Sequence, residues 1–294
     1  MANLKLIRIR ITSVKSTRQI TSAMKMVSAA KLRKAQDKIV RLRPYANKLY
    51  EILVGLSQSL SDSEIDNIYG RVSTPEKILI VVITSNRGLC GAFNSNVIKE
   101  TKRVISEKYY EQFKHGNLWL LTIGKKGFDY FRKQKINMLH EQNNLLYDLS
   151  FENVALVVDE VMNSFTSGEF DRIEMIYNQF KNAAVQNLTN ELFLPVESVP
   201  AGKAKAVPVD YIYEPGKEEI VKELIPKSLK IQFYKAVLDS FVAEHGARMT
   251  AMHKATDNAT GMIRELTLQY NKARQAAITN QILEVVSGAE ALKG

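Results

Sequence analysis

The sequence predicts an α/β chain with long helices: an antiparallel coiled coil of N- and C-terminal helices, plus a central α/β domain. Three observations carry this. Apolar residues recur in alternating three- and four-residue steps near both termini, one six-residue apolar run stands in the middle, and 294 residues contain only 14 Gly and 7 Pro. A chain of this length buries at least one ordinary core, and few breakers mean long elements. The expected division is 1–60 for the N-terminal helix, 75–200 for the central domain and 217–294 for the C-terminal helix.

In the N-terminal segment the apolar seam runs Leu4, Ile7, Ile11, Val14, and again Leu32, Ala35, Ile39, Leu42, Ala46, Leu49, Leu53, Leu56, Leu60. A helix with this 3.5-residue period keeps one stripe against a partner helix. Between the two runs the same phase falls on Arg18, Thr21, Lys25 and Ser28, while apolar residues move to Ile20, Met24 and Val27. Either this part faces a different partner, or the packing stutters locally. Pro44 sits off the seam, so a kink is expected rather than a break.

The centre changes character. Residues 77–85 (KILIVVITS) are rich in β-branched residues and read as a buried strand, followed by turn residues Asn86, Arg87 and Gly88 and by a helix over about 94–113. A second strand is expected at 118–123, then a helix over 125–133, a helix over 151–165 and a strand over 171–180. Alternating strands and helices predict a Rossmann-like sheet with parallel pairs.

From Glu218 onward the pattern is helical, with Pro226 near its start. Ala243, Ala247, Ala251, Ala255 and Ala259 follow one another at four-residue steps, a ridge of small side chains that lets another helix come close. A seam is expected through Met252, Ala255, Ala259, Met262, Leu266, Ala273 and Ala276, with Gln269 as its polar member.

Charge is uneven. Residues 1–59 hold thirteen Lys and Arg against Asp37 and Glu51, so the N-terminal segment carries more than the whole net charge of +10. Such a segment suits nucleic acid, anionic lipid or an acidic protein surface, and charge alone does not choose. The longest apolar run, Ile78 to Ile83, is far short of the roughly 20 residues that cross a bilayer. The single cysteine, Cys90, excludes an internal disulfide and a Cys-based zinc site.

No catalytic constellation emerges, and neither cofactor nor metal is expected. Residues 85–94 (SNRGLCGAFN) follow a strand and precede a helix, where nucleotide folds cradle phosphate, but lack both G-x-G-x-x-G and a P-loop Lys. A plain corner packed with Leu89, Cys90 and Phe93 is the expectation, with Cys90 a buried, inert thiol. The adjacent carboxylates Asp159 and Glu160 are read as a solvated face. His245 and His253 are read as packing or surface residues without a carboxylate at metal-ligand spacing.

Two terminal stretches carry a resemblance. Residues 8–36 (RIRITSVKSTRQITSAMKMVSAAKLRKAQ) and 244–292 (EHGARMTAMHKATDNATGMIRELTLQYNKARQAAITNQILEVVSGAEAL) resemble the gamma subunit of the F-type ATP synthase, bacterial type. The internal motifs TSNRGLCGAFN and YEPGKEEI extend the resemblance along the chain. It implies a non-catalytic rotary shaft that couples proton flow to ATP synthesis or hydrolysis. Its partners would be a ring of alpha and beta subunits, the epsilon subunit and the membrane c-ring, rather than nucleic acid. Its place would be peripheral, on the cytoplasmic side of the cell inner membrane, with the basic segment a mature helix and not a transit peptide. Contacts with beta subunits are carried over to Arg248 of the ARM motif and to Arg274 and Gln275 of the ARQ motif. Three positions depart from the family's pattern: Asn86 for Asp, Ala243 for Ser and Gln281 for Glu.

Overall fold

A computed structural model of the chain describes residues 4–59, 68–71, 74–196 and 217–291. The seam residue Leu60, the side chains of Leu53 and Leu56, residues 213–216 of the YEPGKEEI motif, and the expected domain ends at 197–200 and 292–294 lie outside the described residues. The chain forms two compact units, one of residues 1–28 with 248–294, the other of 29–247. Two helices run through both: α1 (Leu4–Ser59), which continues through Pro44, and α6 (Lys217–Ala291), which contains Pro226.

The second unit holds a five-stranded sheet. Its strands are β1 (Ile78–Ile83), β2 (Leu118–Ile123), β3 (Asn137–Glu141), β4 (Arg172–Phe180) and β5 (Gln186–Leu194). The order is β3-β2-β1-β4-β5, with the first four parallel and β5 antiparallel to β4. All six residues of β1 are buried, as a central parallel strand requires. β3 and β5 carry no strong apolar run; β3 has only half-buried and exposed positions, so the sequence gives little signal for either edge strand.

The helices of this unit are α2 (Phe93–Lys108), α3 (Tyr110–Lys114), α4 (Lys125–Phe131) and α5 (Phe151–Thr166). The expected helix over 94–113 is broken at Tyr109, whose φ of −128° is not helical. The tyrosine is turned inward instead. Its hydroxyl, together with Lys108 Nζ, donates to Glu174 on β4. Arg172 Nε adds a bond at 2.9 Å and Asn190 Nδ2 one at 3.1 Å, so a carboxylate 1% exposed has four donors. Burial by itself would raise the Glu174 pKa, but these hydrogen bonds and the Lys108 charge hold it below the ordinary carboxylate value.

One face of the sheet, through Ile78, Ile80, Leu118, Leu120 and Ile176, packs on Val97, Val104 and Ile105 of α2 and Phe131 of α4. α5 covers the other face. Ser150 caps it by accepting from Asn153 N, and Trp119 meets Phe170 just beyond it edge to face at 6.5 Å. At the β2–α4 corner the chain approaches β1 so closely that only glycine fits. A Cβ on Gly124, whose φ is +103°, would lie 2.2 Å from the Thr84 carbonyl oxygen, while Gly127 N donates to Thr84 Oγ1 at 2.8 Å.

The first unit is a helix pair. Thr21 Oγ1 of α1 and Thr256 Oγ1 of α6 share a hydrogen bond of 2.8 Å. From there burial continues toward Leu4 on one helix and toward Ala277 on the other, so the two run antiparallel. Leu4, Ile7, Ile11, Val14, Arg18, Thr21, Lys25 and Ser28 of α1 are all covered and keep one 3,4 phase, with Ser22 and Met24 half-buried on its flanks. There is no stutter between the two apolar runs. The seam simply becomes polar while Ile20 and Val27, 60% and 57% exposed, point outward.

On α6 the seam differs in part from the expected one. Met252, Ala255, Ala259, Leu266 and Ala273 are covered as anticipated, but beside Ala255 stands Thr256, and beyond Ala259 the alternating partners are Ile263, Tyr270 and Ala277. Met262, Gln269 and Ala276 face outward. Both assignments share the seven-residue backbone of the stripe, and the helix is rolled toward its other flank. The alanine ridge is divided between the units. Ala243 and Ala247 pack with Cys90, Phe93 and Phe180 in the sheet unit, while Ala251, Ala255 and Ala259 belong to the helix pair.

Candidate partner-contact surface

In an open α/β sheet, ligands bind beyond the carboxyl ends of the strands where the strand order reverses, here beside β1. That place is filled. Cys90 and Phe93 pack against Ala243, with Phe180 and Ala247 around them. The polar groups of the loop serve one another. Ser85 N donates to Asn94 Oδ1 at 2.9 Å and Ser85 Oγ to the Arg87 carbonyl at 2.7 Å. Cys90 is 2% exposed and accepts from Asn94 Nδ2 at 3.3 Å, consistent with a buried thiol. Leu89 departs from the expected packing. It is 64% exposed at a φ of +63°, so the turn spends its one left-handed non-glycine residue on an outward leucine.

Asn86 shows why an amide suits this chain. Its Oδ1 accepts from Lys125 N at 3.0 Å and its Nδ2 donates to the Asn143 carbonyl at 2.8 Å. A carboxylate could perform only the first task. Ala243 is fully buried beside Cys90 and Phe93, where a serine hydroxyl would need its own partner. Gln281 is exposed.

Among the described residues no three His, Cys, Asp or Glu side chains come together as metal ligands. Asp159 and Glu160 part company, Asp159 meeting Lys230 at 2.7 Å and Glu160 meeting His140 at 3.2 Å. The latter pair rims an open cleft of about 470 Å³ floored by Leu121 and Val161. His245 is buried, edge-on to Phe241 at 4.5 Å. His253 does have a carboxylate one turn away, Asp257 at 3.1 Å, but both are exposed and the pair is an ordinary surface contact.

The surface best suited to a partner lies on the helix pair. Arg274 and Gln275 are exposed, whereas Arg248 is 7% exposed. These three positions stand on one continuous helix, so Arg248 and Arg274 are separated by about 39 Å and form no common site. Two apolar groups on the same unit have no cover among the described residues. One is Ile20, Met26 and Val27 on α1; the other is Ile278, Ile282, Leu283, Val285 and Val286 beyond the end of the α6 seam. The first group was detectable from the phase of the seam, because a strict 3,4 repeat carried through Arg18, Thr21, Lys25 and Ser28 leaves Ile20 and Val27 outside. The second steps by four and three through Ile278, Ile282 and Val285, and that it lacks cover is visible only once the seam is seen to stop.

Comparison with known proteins is consistent along the whole length. Residues 3–292 match the family described as ATP synthase. The ATP synthase gamma chain of Flavobacterium johnsoniae is 58% identical over 295 residues, covering 100% of both chains. That of Cytophaga hutchinsonii is 52% identical with 99% of each chain covered, and that of Geobacter metallireducens 47% identical with 100% covered. Among solved structures, the fold resembles a rotor chain of the Euglena gracilis mitochondrial ATP synthase, with a TM-score of 0.64, 23% identity and coverage of 94% of this chain and 98% of that one. A chain from the central stalk and c-ring of the Tetrahymena thermophila mitochondrial enzyme gives a TM-score of 0.57 at 24% identity, covering 80% of this chain and 99% of that one.

Proposed function

The chain belongs to the ATP synthase gamma chain family, and from that premise we propose that it is the central rotary shaft of a proton-translocating F-type ATP synthase. The helix pair enters a ring of alpha and beta subunits, and the sheet unit lies toward the epsilon subunit and the membrane c-ring. The shaft itself catalyses nothing. It sits peripherally on the cytoplasmic side of the inner membrane; among the described residues no helix is long and apolar enough to cross one.

The observation that carries this reading is the last part of α6. The helix runs 75 residues without interruption, its seam covers it only as far as Ala277, and the remaining turns expose Ile278, Ile282, Leu283, Val285 and Val286. Apolar turns with nothing to cover them belong inside another structure. Turning in a ring of alternating subunits, such a tip meets unlike surroundings in sequence. Arg274 can offer a directional fork to a carboxylate, and Gln275 a neutral donor and acceptor beside it. Contacts made in some rotary positions and not others alter the relative energies of those positions, as differential binding does in catalysis.

Co-expression with alpha and beta subunits tests the assignment. A stoichiometric complex that hydrolyses ATP is expected, with the chain alone inactive. Replacing Arg274 and Gln275 by alanine should leave complex yield and helical content near the parent and slow steady-state turnover. Unchanged turnover and torque would mean that these side chains are ordinary surface residues and that coupling rests on shape. Failure to assemble, with tight and steeply salt-dependent DNA binding instead, would overturn the shaft reading.

A further inference from the structure

The sheet separates charge. Residues 77–135, which supply β1, β2, α2, α3 and α4, hold twelve Lys and Arg against four Asp and Glu. Residues 136–171, which supply β3 and α5, hold seven Asp and Glu and neither Lys nor Arg. α2 and α4 lie on the sheet face of Ile80 and Leu120, and α5 lies on the opposite face, so the segregation is spatial.

Three of the seven acids on the acidic face are answered within the chain. Asp159 meets Lys230, Glu160 meets His140, and Asp171 meets Arg71 at 3.3 Å. On the basic face Arg103 is held by Glu100 and Glu107, and Lys108 by Glu174. Lys125, Lys126, Arg132, Lys133 and Lys135 are different. They crowd onto α4 and the turn after it with Asp129 as the single acid of the segment, all five are exposed, and among the described residues none is paired with a carboxylate. Arg132 leans over the Phe128 ring at 5.6 Å. The platform beneath them is firm: Phe131 is fully buried, and Lys126 N and Gly127 N are fastened to Ser85 and Thr84.

We infer that this α4 face is a peripheral contact for the anionic headgroups of a lipid surface. A dry protein interface needs aromatic or arginine anchors and is depleted in lysine. Here four of five cations are lysines, and no large apolar side chain is exposed between Tyr110 and Tyr147. A cluster of four to eight cations on one face is what anionic bilayers attract, each contributing a little and none a fixed geometry. Contacts of that kind can slide, which suits a rotor. The choice of a membrane as the polyanion rests on the gamma-chain reading, which places the chain at a membrane complex.

The test uses the purified full chain and vesicles of phosphatidylcholine alone or with one third phosphatidylglycerol. Because α1 is also basic, two variants with equal charge loss are compared: Lys125→Gln, Lys126→Gln, Lys133→Gln and Lys135→Gln together, and Lys15→Gln, Lys31→Gln, Arg33→Gln and Lys34→Gln together. Binding is expected only to the anionic vesicles and to weaken with salt. The α4 variant should lose at least about tenfold in partitioning and the α1 variant much less, with the α4 lysines changed to arginine restoring it. Emission of the one tryptophan, Trp119, checks that the sheet unit is intact. Equal losses in both variants, undiminished binding in the α4 variant, or α4-dependent capture of polyglutamate without vesicle binding would each overturn the inference. Failure to assemble with alpha and beta subunits, by contrast, strikes the shaft reading and leaves the vesicle result standing.

Discussion

The two units solve packing in opposite ways. In the sheet unit β1 is wholly apolar and buried, and a carboxylate that enters the interior, Glu174, is met by four donors. In the helix pair the covered stripe of α1 itself turns polar at Arg18, Thr21, Lys25 and Ser28, and the apolar residues Ile20 and Val27 stand outside. The sheet unit has spent its apolar surface on itself. The helix pair holds together partly through small and hydroxyl side chains, which keeps apolar surface free for something that is not this chain. That contrast should appear as a graded response to substitution, steep in the sheet unit and shallow in the pair.

The steepest effect is expected at Gly124. Alanine there puts a methyl carbon 2.2 Å from the Thr84 carbonyl oxygen and asks a non-glycine residue to hold a φ of +103°. Either the β2–α4 corner or strand β1 must move, and a loss of about 3 kcal/mol or more is expected. Thermal unfolding followed by Trp119 emission checks it; a melting point within a degree or two of the parent would mean the corner is far softer than it is drawn.

Glu174→Gln comes next, at about 3 kcal/mol, because Lys108 and Arg172 would be left facing a neutral amide. The pH dependence has a definite sign. The folded carboxyl is held below its unfolded value of about 4.5 by its donors, so its contribution is complete above that value and fades as pH falls through the folded pKa. The parent should therefore lose more stability than Glu174→Gln on acidification below about pH 4.5. Parallel melting curves for the two proteins across that range would show that the carboxylate adds nothing specific.

How legible each unit is in the sequence follows the same contrast. β1 is apparent because a central parallel strand must be apolar on both faces, and it forms at the residues expected, Ile78–Ile83. β3 and β5 are not, because edge strands bury little and neither carries a strong apolar run, even though β5 follows β4 directly as a hairpin. The break at Tyr109 also escapes, since nothing local requires it; the reason is Glu174, 65 positions on. In the helix pair the period is readable but its roll is not. Met262 and Ile263 are both apolar, and which of them is covered depends on the facing helix, not on the spacing. The expected contact residues are likewise placed by resemblance alone, and the structure leaves two of them, Arg274 and Gln275, on the surface.

A smaller response is expected from the polar layer. Thr21→Val with Thr256→Val removes both partners of the 2.8 Å hydrogen bond while conserving shape, and stability should change by no more than about 1 kcal/mol, in either direction. Thr256 retains a fallback in the single variant Thr21→Val, since its hydroxyl also donates to the Met252 carbonyl at 2.8 Å. A loss above about 3 kcal/mol in the double variant would make this layer a keystone and erase the distinction drawn between the units.

The smallest effect on folding, and the most informative for the contrast, should come from Ile20→Ser with Val27→Ser. Both side chains are more than half exposed, so the isolated chain should unfold within about 0.5 kcal/mol of the parent. Serine also lowers helix propensity only slightly in so long a helix. If the outward apolar residues exist to meet alpha and beta subunits, the same double change should weaken assembly, read as a lower yield of complex at limiting subunit concentration or as slower turnover in the complex that forms. Seam substitutions such as Ala259→Leu should do the reverse, costing about 1–3 kcal/mol in the chain through overpacking before assembly is considered. Two classes of variant, one silent in the free chain and one not, are what a helix pair with a partly polar inside and apolar residues outside requires. If Ile20→Ser with Val27→Ser destabilises the free chain as much as Ala259→Leu does, those residues are covered in solution and the division between inside and outside is wrong.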